Sequence, residues 1–118
     1  MKAKKHLKRF DPVNLKILSE LAAFFMSRGA RELNMELKDE ENKVCMCISG
    51  RIEDTWQEDV DDLASQLNVQ RQHEVESYYW QLSGEDELED FVTVGMMVDK
   101  AEVEYKDGRL EINITRQK

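Results

Sequence analysis

The 118-residue chain carries 17 Lys+Arg against 25 Asp+Glu, a net charge of −8, with 41% apolar residues. The charge is uneven: residues 1–9 hold Lys2, Lys4, Lys5, Lys8 and Arg9 and no acid, so 12 bases (17 less those 5) face all 25 acids from Phe10 onward, a net of −13. A body this acidic repels phosphate backbones, which argues against nucleic acid as a partner, and no apolar run approaches the about 18–20 residues that cross a bilayer.

Residues 1–10 read as a basic flexible arm, and residues 11–118 as a single domain. The arm is followed by Phe10-Asp11-Pro12 rather than an apolar stretch, so it does not read as a secretory signal. Asp11-Pro12 opens a helix, with Asp as the cap and Pro in the first turn. Leu15, Leu18, Ala22 and Phe25 recur at helical spacing, Ile17, Leu21 and Phe24 widen the stripe, and Gly29 supplies a left-handed stop. The period then becomes two. Leu33, Met35 and Leu37 alternate with Glu32, Asn34 and Glu36, and Val44, Met46 and Ile48 alternate with Cys45, Cys47 and Ser49, with a polar turn between. Both runs are expected to bury one face as a hairpin.

Helices are expected next. Thr55 to Glu58 reads as a capping box for a helix with Val60, Leu63 and Leu67 on its stripe. A shorter helix is expected from His73 to Leu82, and a third from about Asp86 to Asp99 that buries Leu88, Phe91, Val92 and Met96. Val103 and Tyr105 then alternate up to Asp107-Gly108, with Leu110, Ile112 and Ile114 beyond it, a strong hairpin pattern. The fold class expected is α/β (α+β): a two-layer sandwich with a mostly antiparallel four-stranded sheet and helices on one face. The open hairpin edges could pair in a homodimer or be capped by a helix.

This order resembles the histidine kinase-like ATPase (GHKL) superfamily, closest in outline to the bacterial anti-sigma-kinase domains. Glu20-Leu21-Ala22-Ala23-Phe24-Phe25 stands where that family has its N-box, Thr93-Val94-Gly95-Met96-Met97-Val98 looks like its glycine-leucine helix start, and Ala101 to Thr115 is similar to its closing strand pair. The departures are specific. Phe24 replaces the magnesium-binding Asn, the region of the adenine-reading Asp offers only Ser49 and Gly50 with no acid before Glu53, and the glycine-rich lid is reduced to Gly84 and Gly95 around a bulky Tyr78-Tyr79-Trp80. Phosphates need close backbone approach, which glycines permit and aromatics obstruct. The resemblance therefore implies a non-catalytic regulatory domain that acts through a protein partner, without cofactor. The alternative it leaves open is a weak ATP–magnesium pocket or kinase at Glu20, Gly50 and Gly95.

Other candidates carry less chemistry. Cys45 and Cys47 are too close to form a useful disulfide, which points to a reducing, cytoplasmic setting, and only His6 and His73 could complete a metal site with them. No metal site is expected. Tyr78, Tyr79 and Trp80 cannot all be buried by one helix and are the expected partner-binding residues, with the open sheet face bearing Glu32, Glu36 and Glu111 as the alternative surface for a basic partner.

Overall fold

The computed structural model describes residues 11–53, 57–76 and 91–118. Helix α1 spans Pro12–Ser27. Its start follows the sequence logic: the Val13 amide donates to Asp11 Oδ1 at 3.0 Å and Pro12 occupies the first turn. Its end does too. Gly29 adopts φ +90°, and the Arg28 and Ala30 amides both donate to the Phe25 carbonyl.

Strands β1 (Asn34–Asp39), β2 (Lys43–Arg51), β3 (Lys100–Lys106) and β4 (Arg109–Gln117) form one sheet in the order β1-β2-β4-β3, antiparallel throughout. The β3–β4 turn places Asp107 at φ +53° and Gly108 at φ +80°. Two consecutive positive φ angles give the tight turn whose twist matches that of the strands. Helices α2 (Gln57–Leu67), α3 (His73–Glu76) and α4 (Val92–Gly95) complete the described elements.

The core lies between the helices and one face of the sheet. Ile17, Leu21 and Phe25 of α1 and Val60, Leu63 and Leu67 of α2 join Met46, Ile48, Leu110, Ile112 and Ile114 in one buried cluster. Helix α1 packs on β2, and α2 packs on β3 and α4. Gly95 makes the α2–α4 contact feasible: a Cβ there would stand 2.1 Å from the Gln66 carbonyl oxygen.

Asn14, Ser49 and Arg116 are the buried polar residues among those described, and Arg116 is the charged one. Arg116, 3% exposed, donates from Nε to the Met97 carbonyl at 2.7 Å and from Nη1 to Asp11 Oδ2 at 3.0 Å and to Asn14 Oδ1. The cap residue of α1 is thereby tied to the C-terminal end of β4. A buried guanidinium is tolerable only with such partners.

Three expectations are corrected. Leu15 is 53% exposed rather than core, because the buried arc of α1 centres on Leu21, which lies roughly 120° away at 100° per residue. The stretch expected as a helix up to Asp99 is helical only over Val92–Gly95 among its described residues; Phe91 is buried as expected, but Val94, Met97 and Val98 are buried rather than Val92 and Met96. The Met97 amide returns to Val94 and the Asp99 amide donates to Thr115, which commits the chain to β3. Finally, the inner face of β1 is not buried: Met35 is 55% and Leu37 38% exposed. The helix layer ends over β2. The expected helix from His73 is described as far as Glu76; its remainder, the Thr55 cap and the Tyr78, Tyr79 and Trp80 cluster lie outside the described residues.

Candidate functional site: an uncovered apolar edge

Strand β1 is an edge whose backbone is half used. The Glu40 amide donates to the Lys43 carbonyl at 2.9 Å, which continues the register Asp39↔Val44 by one residue. Antiparallel bonding alternates along a strand. The even-numbered residues of β1 therefore bond to β2, and Met35, Leu37 and Asp39 direct their N–H and C=O groups outward.

The side chains of this edge are apolar on the helix side. Met35 stands opposite buried Ile48 and Leu37 opposite buried Met46, in the same rows but beyond the cover of α1. On α1, Leu15 and Met26 are 53% and 64% exposed, and with Ala22 they fall within roughly 40° of one another. The opposite flank of α1 faces α2: Phe24 meets Phe91 edge-on at 5.6 Å, and Arg28 lies over the Phe24 ring and pairs with Asp59 at 3.4 Å. Leu15 and Met26 thus lie on the flank of α1 away from α2, roughly 120–140° from Leu21. With Met35 and Leu37 on β1 they are the large apolar side chains that the described residues expose. Exposed apolar side chains beside an open strand edge mark an interaction site.

Two cavities are more polar. One of about 420 Å³ lies between α1 and α2, lined by Phe24, Ser27, Arg28, Asp59, Asp62, Leu63, Gln66 and Phe91. The other, about 600 Å³, sits at the β3–β4 turn among Arg51, Glu104, Tyr105, Lys106, Asp107, Arg109 and Glu111. Its two arginines already have structural tasks: Arg51 donates to the Asp107 carbonyl and Arg109 to Ser49 Oγ, both at 2.9 Å.

Glu20, Gly50 and Gly95 line neither cavity. Glu20 is half-buried on α1. Gly50 serves close packing, since a Cβ there would come within 2.8 Å of the Glu32 carbonyl oxygen and 3.0 Å of Leu33. Gly95 serves the α2 contact described above. The residues expected for a nucleotide are therefore spread over α1, β2 and α4.

Cys45 and Cys47 are free and half-buried on the outer face. Burial raises the Cys47 pKa above its usual 9.0, the Glu111 and Glu36 carboxylates raise it further, and Arg109 offsets part of this. A thiol held protonated is a poor nucleophile and a poor metal ligand. His73 is exposed at the first position of α3. Among the described residues no cluster of His, Cys, Asp and Glu could hold a metal, and no helix is long and apolar enough to cross a membrane.

The sequence reading missed Leu15, Met26, Met35 and Leu37 as surface because alternation and helical spacing report which side chains share a face, not whether another layer covers it. The signal available was Met26, which lies outside the main stripe of α1.

Comparison of the chain with protein-family models, with curated proteins and with solved structures gave no match.

Proposed function

We propose that this chain is a non-catalytic protein-interaction domain, a regulatory relative of the histidine kinase-like ATPase fold that has lost its nucleotide chemistry. The observation that carries the interaction reading is the exposure of Met35 and Leu37 on the open edge strand β1, with Leu15 and Met26 exposed on α1. Adjacency of the two hairpins through β2 and β4 supports the fold relationship, because the resemblance requires the closing pair to lie beside the first. The close-packing tasks of Gly50 and Gly95 support the loss of the pocket, as does the −13 body, which disfavours a polyanionic nucleotide without magnesium and glycines to compensate.

Two measurements test this together. Thermal melting with millimolar Mg-ATP should leave the midpoint unchanged, because a ligand that binds only the folded state raises it with concentration. Association of the chain, with itself or with a partner captured from its native cell, should be lost in Met26→Glu and Leu37→Lys. A midpoint that climbs with Mg-ATP, together with association indifferent to both substitutions, would overturn the proposal in favour of a working nucleotide site.

A further inference from the structure

We infer that the partner seated on this edge is a second copy of the chain, joined β1 to β1 in one defined register; the inference rests on the interaction reading above and names its partner. Strand β1 reads Asn34-Met35-Glu36-Leu37-Lys38-Asp39 and is exposed throughout. A two-fold axis perpendicular to the sheet makes two such edges antiparallel and keeps both helix layers on the same side. Directly opposed residues then share a face.

Parity removes half of the registers. Only Met35, Leu37 and Asp39 direct backbone groups outward, so odd-numbered residues must oppose odd-numbered ones, and the two-fold axis must pass through a residue. An axis at Glu36 sets Glu36 against its own copy. An axis at Lys38 sets Lys38 against its own copy and Glu36 against Glu40. An axis at Met35 leaves Lys38 beyond the paired segment and brings Glu36 opposite Asn34. Only an axis at Leu37 places Glu36 opposite Lys38 twice, once on each side of the axis. In that register Leu37 exchanges both backbone bonds with its own copy, and Met35 exchanges its pair with Asp39. Opposed charges across a strand pair stabilise it and like charges destabilise it, so the edge encodes its own alignment.

The same axis covers the apolar edge. It sets both helix layers on one side of the joined β1 strands, so Met35 and Leu37 of the two copies lie side by side between them. The eight-stranded sheet that results has no open β1 edge. A net charge of −8 on each copy opposes the association, which leaves local charge matching to decide it.

Charge exchange tests the register. In sedimentation equilibrium at tens of micromolar the wild type should have the mass of a dimer. Glu36→Lys and Lys38→Glu, each turning two attractive pairs into repulsive ones, should weaken the dimer at least about tenfold. The double exchange E36K/K38E should restore it. Leu37→Pro, which removes an outward N–H while sparing the bonds to β2, should give a monomer. Melting curves of each variant establish that it is folded; Glu36 and Lys38 are exposed, so the exchange series holds even where the proline does not fold. A monomeric wild type at about 100 µM, single exchanges that remain dimeric, or a folded double exchange that stays monomeric would each overturn the pairing. A monomer that still loses a captured partner in Met26→Glu would leave the interaction domain standing and the self-pairing wrong.

Discussion

Strands β1 and β2 are paired residue for residue and share one alternation of apolar and polar side chains, yet they live in different environments. Ile48 is 1% exposed and Met46 2%; their partners Met35 and Leu37 are 55% and 38%. The difference lies above the sheet. Helix α1 covers β2 and leaves Met35 and Leu37 of β1 exposed, and α2 covers β3 on the far side. Period-two patterning is thus a statement about which residues share a face. Whether that face becomes core depends on the number of helices available to lie on it.

This contrast can be broken or sharpened by substitution within single rows of the sheet. The largest effect is expected from Ile48→Ala, which should cost about 3 kcal/mol in urea unfolding through lost burial and the cavity left behind. A loss below about 1 kcal/mol would mean that β2 is not the core strand described. Next comes Arg116→Met, which leaves Asn14 Oδ1 and the Met97 carbonyl without their donor in the core; about 2 kcal/mol should be lost in the same assay. Met35→Ala, the row-mate of Ile48, should change stability by no more than about 0.5 kcal/mol when measured at submicromolar protein, where the chains are separate. A cost comparable to that of Ile48→Ala would show that β1 is covered after all.

The smallest effect concerns the outer face of the same two strands. Because Cys47 is raised in the folded state, its thiol form is the favoured one, and it should alkylate more slowly in the native protein than in urea at pH 8.5. The sign for stability follows. A raised thiol pKa contributes fully below 9.0, the ordinary value, and the contribution fades as pH climbs through and above it. Glu36 lies opposite Cys47 in the register, so Glu36→Gln should speed native alkylation if β1 is paired as described.

Much of the architecture was legible in the sequence because short-range chemistry determined it. Asp11-Pro12 caps α1, Gly29 ends it in the left-handed region, and Asp107-Gly108 turns the last hairpin, each for reasons contained within a few residues. The misreadings arise where distant parts decide. Apolar spacing over residues 86–99 suggests a long helix, but the approach of Gly95 to Gln66 and the capture of the Asp99 amide by Thr115 settle its described part, residues 91–99, as one helical turn and a bend. Arg116 gives no local sign of burial, since Asp11, Asn14 and Met97 reach it only in the finished fold. For the candidate site, the apolar residues were visible in the sequence but their exposure was not. That required knowing where the helix layer ends.

The strand order carries a kinetic consequence. Strand β4 follows the others along the chain, yet it lies between β2 and β3, so the inner edge of β2 stays unpaired until the final hairpin arrives. Pairing of Cys45 with Thr115 and of Ile48 with Ile112 is non-local, and such closures are slow. In the interval the first hairpin presents two open edges and an apolar face to whatever is nearby, which invites pairing between chains. Refolding yield should therefore fall as protein concentration rises, and the strand most responsible is the one that ends in the centre of the sheet.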